Sequence, residues 1–138
     1  MKSNYKFFGA IAIVMMFGFS AVTAEAQVGN NPIRITISGI DGFNGGEGLI
    51  ALSTSNDIDN NDAFMADGTV DRITAGSATF SLVDMEGRPF TRAGRYYIFL
   101  LFYIDHTERA FVSFNQHNIT NRQQHLPFNF DVFYEIDF

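Results

Sequence analysis

Residues 96–104 read Tyr96-Tyr97-Ile98-Phe99-Leu100-Leu101-Phe102-Tyr103-Ile104, and this stretch decides the fold. Its β-branched and aromatic side chains suit a pleated surface, and Gly94 just ahead also argues against a helix. Successive side chains of a strand point to opposite faces, and here both faces are apolar. Such a strand belongs in the middle of a sheet. A second sheet should cover one side of it, and loops or a partner the other.

The pattern continues outward in both directions. Ala110, Val112 and Phe114 alternate with other residues after a tight connection at 105–108, which predicts a hairpin. Upstream, Ala78, Phe80 and Leu82 alternate with Ser77, Thr79 and Ser81, a strand with one buried face. Ile33, Ile35 and Ile37 do the same against Arg34, Thr36 and Ser38. Leu49 to Leu52 is a short strand apolar on both faces, and 64–73 holds a short or irregular one. The chain closes with Phe128, Phe130, Val132, Tyr134, Ile136 and Phe138 alternating with mostly polar residues, Phe133 being the exception.

Between these segments lie turn signals. Residues 39–48 carry five glycines with Asp41 and Asn44, and 53–62 form a polar loop. Short strands, frequent turns and no amphipathic helix define an all-β chain: an antiparallel β-sandwich of about seven strands. No repeat, coiled coil, low-complexity tract or internal linker divides it. One domain over residues 27–138 is expected.

The first 26 residues read as an address. Lys2 and Lys6 precede an apolar or small run over 7–22, and Ala24-Glu25-Ala26 supplies the small-x-small site of a signal peptidase. A cleaved signal peptide over 1–26 is therefore expected, with an uncleaved membrane anchor as the competing reading. The remaining residues have no cysteine, which removes disulfides, thiol chemistry and lipid attachment. Exported small domains without disulfides are commoner in bacteria, so a periplasmic or secreted bacterial protein is expected.

Both lysines lie in the leader. Residues 27–138 hold seven arginines against fourteen carboxylates, a formal net charge of −7. That field repels nucleic acid and anionic lipid, and no basic patch offsets it. Nucleic-acid binding and stable membrane insertion after cleavage are excluded as expectations, as is lysine chemistry.

Residues 76–104 pair Gly76-Ser77-Ala78-Thr79-Phe80-Ser81-Leu82 with a loop and then Gly94-Arg95-Tyr96-Tyr97-Ile98. This segment resembles the strand–loop–Gly-x-Tyr–strand outline of transthyretin-like and carboxypeptidase-regulatory-like sandwiches. The resemblance implies a non-catalytic accessory, adhesive or structural module with a tyrosine packed at the sandwich edge. It implies no catalytic set.

Candidate chemistry is sparse. Asp57, Asp59, Asn61 and Asp62 place oxygen donors at the spacing that opens a calcium loop, and Asp67 could add another. The sixth position is Asp62 rather than glycine, however, and the twelfth is Gly68 rather than glutamate. An Asx-rich surface turn that binds its own backbone explains the same residues without metal, and is the preferred reading. His106, His117 and His125 lack any spacing that sets them on one face for a metal. Asp105-His106 with Ser113 makes no triad, because no nucleophile elbow is present. Asp84, Glu86, Asp105 and Glu108 could supply a carboxylate pair, yet nothing marks two of them as opposed.

Twelve phenylalanines and four tyrosines follow the leader. Phe43, Phe64, Phe90 and Phe133 could form an exposed platform for a protein or glycan, or could fill the core. The expected role is a non-enzymatic binding or structural module, without a required cofactor, using loops 39–48 and 53–68 clustered at one end. The oligomeric state is left open. One alternative is an adhesin- or assembly-type subunit pairing through an edge strand, the last one being the candidate. Another is a small outer-membrane barrel, suggested by the terminal Phe and the alternation before it.

Overall fold

The computed structural model describes residues 31–138; the expected signal peptide and its cleavage site lie outside the described residues. Ten strands follow in chain order: β1 (Arg34–Ser38), β2 (Glu47–Ser53), β3 (Phe64–Val70), β4 (Ser77–Ser81), β5 (Val83–Asp84), β6 (Gly94–Ile104), β7 (Thr107–Val112), β8 (His117–Ile119), β9 (Gln123–Pro127) and β10 (Asp131–Asp137). A seven-stranded sheet runs β10-β7-β6-β2-β3-β5, with β8 paired to the start of β6. A three-stranded sheet, β4-β1-β9, makes the second layer.

The stretch at 96–104 sits where its composition requires. Strand β6 lies between β2 and β7. One face sends Tyr96, Ile98, Leu100 and Phe102 into the main core, with Ile35, Ile37, Ala78 and Phe80 of the smaller sheet. The other face sends Phe99 and Leu101 into a separate cluster with Leu49, Ala51, Ile58, Phe64 and Tyr134. The covering on this second side includes Ile58 from the loop after β2, as a strand apolar on both faces demands.

Three strands go beyond the expected seven. Strands β5 and β8 have two and three residues, too few to show a period, and β9 reads Gln-Gln-His-Leu-Pro. Pairing is antiparallel except that β9 runs parallel to β1, from Arg34↔Gln123 to Ser38↔Pro127. That strand adds a rim to the smaller sheet, whose outer surface is polar. There the Thr36 and Thr79 hydroxyls meet at 2.8 Å, and the His125 ring lies 2.9 Å from the Ser38 hydroxyl.

The seven-stranded sheet is open, with β10 and β5 as its edges, so the barrel alternative is corrected. A barrel needs its first and last strands paired; here a second sheet seals one face instead. The alternating C-terminal segment is the edge strand β10, bulged between Val132 and Tyr134 and carrying Asp131, Glu135 and Asp137.

The expectation that loops 39–48 and 53–68 cluster at one end is also corrected. They leave opposite ends of β2, which at about 3.3 Å per residue separates them by roughly 20 Å. The first loop is tied to the β3–β4 connection: Asn44 Oδ1 accepts from the Gly76 N–H at 2.8 Å. A Cβ at Gly76, whose φ is +69°, would lie 2.3 Å from an Asp41 carboxylate oxygen, so only glycine fits.

Tyr96 lies near the start of β6. It is buried, stacks edge-on against Phe90 at 5.9 Å, and donates its hydroxyl to the Arg92 carbonyl at 3.1 Å. This anchors the connection that brings the chain into β6.

Candidate functional site

The outer face of the large sheet holds two carboxyls that burial perturbs, Asp67 and Glu108. Its composition follows from register. Leu101 of β6 stands opposite Leu49 of β2 and Ala110 of β7, giving an apolar row. One step toward the sheet's end, Tyr103 stands opposite Glu47 on one side and Glu108 on the other. Continuing the β2–β3 register one residue beyond Gly48↔Val70 sets Asp71 opposite Glu47. A row of three carboxylates and one phenol therefore crosses four strands, a span of about 14 Å at normal strand spacing.

These groups line a cavity of about 420 Å³. Leu49 and Leu101 form its floor; Thr69, Glu47, Asp71 and Glu108 stand around it. Tyr103 is 37% exposed and packs beside Phe138 at 6.1 Å. Glu108 accepts a 3.4 Å hydrogen bond from the Tyr134 hydroxyl. Partial burial still holds the Glu108 carboxyl above its ordinary value, because the hydrogen bond only partly offsets lost hydration. None of Glu47, Asp71 and Glu108 forms an ion pair with a described residue; Arg109, next to Glu108, points to the opposite face and pairs with Glu135.

Farther along β3 on the same face lies Asp67, only 1% exposed and with neither carboxyl oxygen hydrogen-bonded among the described residues. It stands opposite Ala51 on one side and Val83 on the other. Burial, and secondarily the charge of Asp84, push its pKa up to about 8. Asp67 is therefore mostly a neutral acid at neutral pH. Asp84 itself is occupied: its Oδ1 accepts from the N–H groups of Glu86 and Arg88 at 2.9 Å each, closing the turn after β5.

The calcium candidates take a different place. Asp57, Asp59, Asn61 and Asp62 lie on the connection from β2 to β3, which bonds to itself. Asp57 Oδ1 accepts from the Asp59 N–H at 3.0 Å, the Asn60 N–H donates to the Asp57 carbonyl, and the Asn61 N–H to the Asp59 carbonyl. Buried Ile58 pins the loop to the sheet. No three His, Asp or Glu side chains converge as metal ligands among the described residues.

The histidines are scattered. His106 lies in the β6–β7 turn, His117 on β8 and His125 on β9. Burial lowers the His117 pKa; its Nε2 lacks a hydrogen-bond partner among the described residues, and its ring packs on Phe130 at 5.7 Å. Ser113 is structural: its hydroxyl accepts from the Ile98 N–H at 2.9 Å. Asp84 and Glu108 stand four strands apart, about 19 Å, too far for a glycosidase pair. Asp105 sits in the hairpin turn, and Glu86 pairs with Arg88.

The aromatic platform is corrected as well. Phe43, Phe64 and Phe90 are buried and Phe133 is half-buried, so these rings fill clusters rather than present a surface. The exposed large apolar residues are Met85, Tyr103, Phe114, Val132 and Phe138.

Sequence reasoning passed over Glu47 and Asp71, and took Asp67 only as a spare calcium donor. One signal was present: Asp67, Thr69 and Asp71 alternate, marking one polar side of β3. No helix among the described residues is long and apolar enough to cross a membrane.

No protein-family model matches the chain, and no curated protein does. The likeness of residues 76–104 to transthyretin-like modules thus rests on those residues alone. Among solved structures the chain is similar to an alternative pilotin from the type II secretion system of Vibrio cholerae. The two share 13% identity over 74% of this chain and 96% of that one, with a TM-score of 0.43. Likeness at that level carries no argument about what this chain does.

Proposed function

We propose that this chain is an exported, non-catalytic binding module that works in the bacterial envelope or outside the cell, through the outer face of its large sheet. The observation that supports this reading is the groove beside Leu49 and Leu101: an apolar floor next to carboxylates that have no cation of their own among the described residues. Apolar cavities with a few convergent polar groups are where ligands bind. The transthyretin-like outline of 76–104 implies the same accessory role.

Two measurements test it. Fractionation of the expressed protein, with its mature N-terminus determined, should find it in periplasm or medium and starting near Gln27. Retention in the cytoplasm would contradict export. A Leu101→Ser variant that folds but has lost its partner would support the binding face; a variant with unchanged binding would remove it.

A second reading has its own observation. Strand β10 is a sheet edge, and Val132 and Phe138 on it and beside it are 68% and 62% exposed. Such an edge can accept a further strand from another chain. Deleting residues 135–138 should then abolish association while the sandwich persists. A monomer both before and after deletion would sink this reading.

A further inference from the structure

We infer that the groove on the outer sheet face receives a cationic, amphipathic segment of a partner protein, a conclusion that rests on the binding role proposed above and names its occupant. Three features of the site fix the chemistry. First, its floor is hydrocarbon: Leu49 and Leu101 stand side by side on neighbouring strands. Second, one margin is anionic, because register alone places Glu47, Asp71 and Glu108 in line around Tyr103. Third, that margin has no internal counter-charge: the two ion pairs among the described residues, Arg88–Glu86 and Arg109–Glu135, lie elsewhere.

Glu108 makes the strongest case within the row. It is half-buried, its one side-chain hydrogen bond is the 3.4 Å contact from Tyr134, and burial already disfavours its charge. A basic side chain laid across the row would restore what lost hydration took away. The exposed Tyr103 ring in the middle of the row offers a face for a guanidinium or ammonium group.

Other occupants fit less well. A second copy of this chain brings the same carboxylates and a net charge of −6 on the full sequence, so the two faces repel. Anionic lipid headgroups are repelled likewise. A neutral glycan would stack on the Tyr103 ring and donate hydroxyls to the carboxylates, but would leave their three charges uncompensated. A segment that alternates or spirals apolar and basic residues satisfies floor and margin together.

The test uses purified full-length protein and a synthetic amphipathic peptide of leucine and lysine, with glutamine-for-lysine and glutamate-for-lysine versions as probes. Calorimetric titration should show the lysine peptide binding, and raised salt weakening it. The glutamine version should bind at least about tenfold more weakly, and the glutamate version not at all. The triple variant E47Q/D71N/E108Q should lose about tenfold in affinity for the lysine peptide. D57N/D59N/D62N removes the same charge from the distant loop and should leave affinity within about twofold, which separates a site from bulk attraction.

Equal losses in the two triple variants would overturn the proposal, as would equal binding of the glutamine peptide. If only the neutral peptide binds, and Leu101→Ser abolishes that binding, the face is a binding site with a different occupant. If no probe binds and no partner is lost on Leu101→Ser, the binding role itself falls.

Discussion

The two faces of the seven-stranded sheet share a backbone but not a chemistry. On the inner face, β6 contributes Ile98, Leu100 and Phe102 to a core sealed by β4-β1-β9. On the outer face, the same strand contributes Phe99, Leu101 and Tyr103, and the neighbouring strands add Glu47, Asp67, Asp71 and Glu108. Of these carboxyls, Asp67 is buried with no hydrogen-bond partner among the described residues and Glu108 is half-buried, which costs stability, whereas Glu47 and Asp71 are exposed. The inner face holds the sandwich together; the outer face is packed under its own cluster along most of its length and is open for recognition at the end around Tyr103.

Neighbouring residues of β6 offer the sharpest way to break this contrast. Phe102 is fully buried and packs on Phe43 at 4.5 Å, with Phe111 and Phe128 about it. Phe102→Ala should cost about 3–5 kcal/mol in chemical denaturation, as cavities in aromatic cores do. Tyr103→Ala, one residue on and facing outward, should cost about 0.5 kcal/mol. Comparable losses would mean that the Tyr103 end of the outer face serves the core as well.

Asp67 tests the outer face through pH. Its folded-state pKa of about 8 lies above its ordinary value of 3.8, so the folded protein keeps a proton that the unfolded chain gives up. Stability attributable to Asp67 is full below about pH 4, falls as pH rises from there to about 8, and is flat beyond. Asp67→Asn should remove this slope and raise the denaturation midpoint at pH 9, while changing it least at pH 4. A parallel pH profile in the two proteins would show that Asp67 is ionised and solvated.

The β6–β7 turn gives a smaller effect. Asp105 and His106 both hold positive φ, 49° and 64°, a region that Asp and His enter more readily than most side chains but that only glycine adopts without steric cost. His106→Gly should stabilise the protein by about 0.5–1 kcal/mol in the same assay, with no change in binding. The smallest effect concerns the loop at 57–62. Since Asp57 is already engaged by its own backbone, millimolar calcium should leave the thermal midpoint unchanged. A calcium-dependent rise lost in D57N/D59N/D62N would revive the metal reading.

Much of the architecture could be read from the residues, because each long strand has its own periodicity. Strand β6 announced both of its faces, and the stretches at 33–37 and 77–82 announced one buried face each. Strands β5, β8 and β9 escaped because they are short or polar, and exist only through pairing with partners distant in sequence. The groove escaped for the same reason on a larger scale. Glu47, Asp71, Tyr103 and Glu108 become neighbours only once the register of four strands is set, and no local pattern fixes that register. Asp67 was hidden differently: Asp67-Gly68 has the composition of a tight turn, yet lies inside β3. There a Cβ on Gly68 would sit 2.8 Å from the Ser81 carbonyl. The glycine serves close packing on the inner face, while its neighbour's carboxyl is buried on the outer one.

The most direct test of the two-face account is amide chemical-shift mapping of the isotope-labelled protein as the leucine–lysine peptide is added. The account predicts perturbations at Glu47, Leu49, Thr69, Leu101, Tyr103 and Glu108, with β1, β4 and β9 silent. Shifts concentrated on the three-stranded sheet or along the free edge of β10, with Leu49 and Leu101 unmoved, would contradict it.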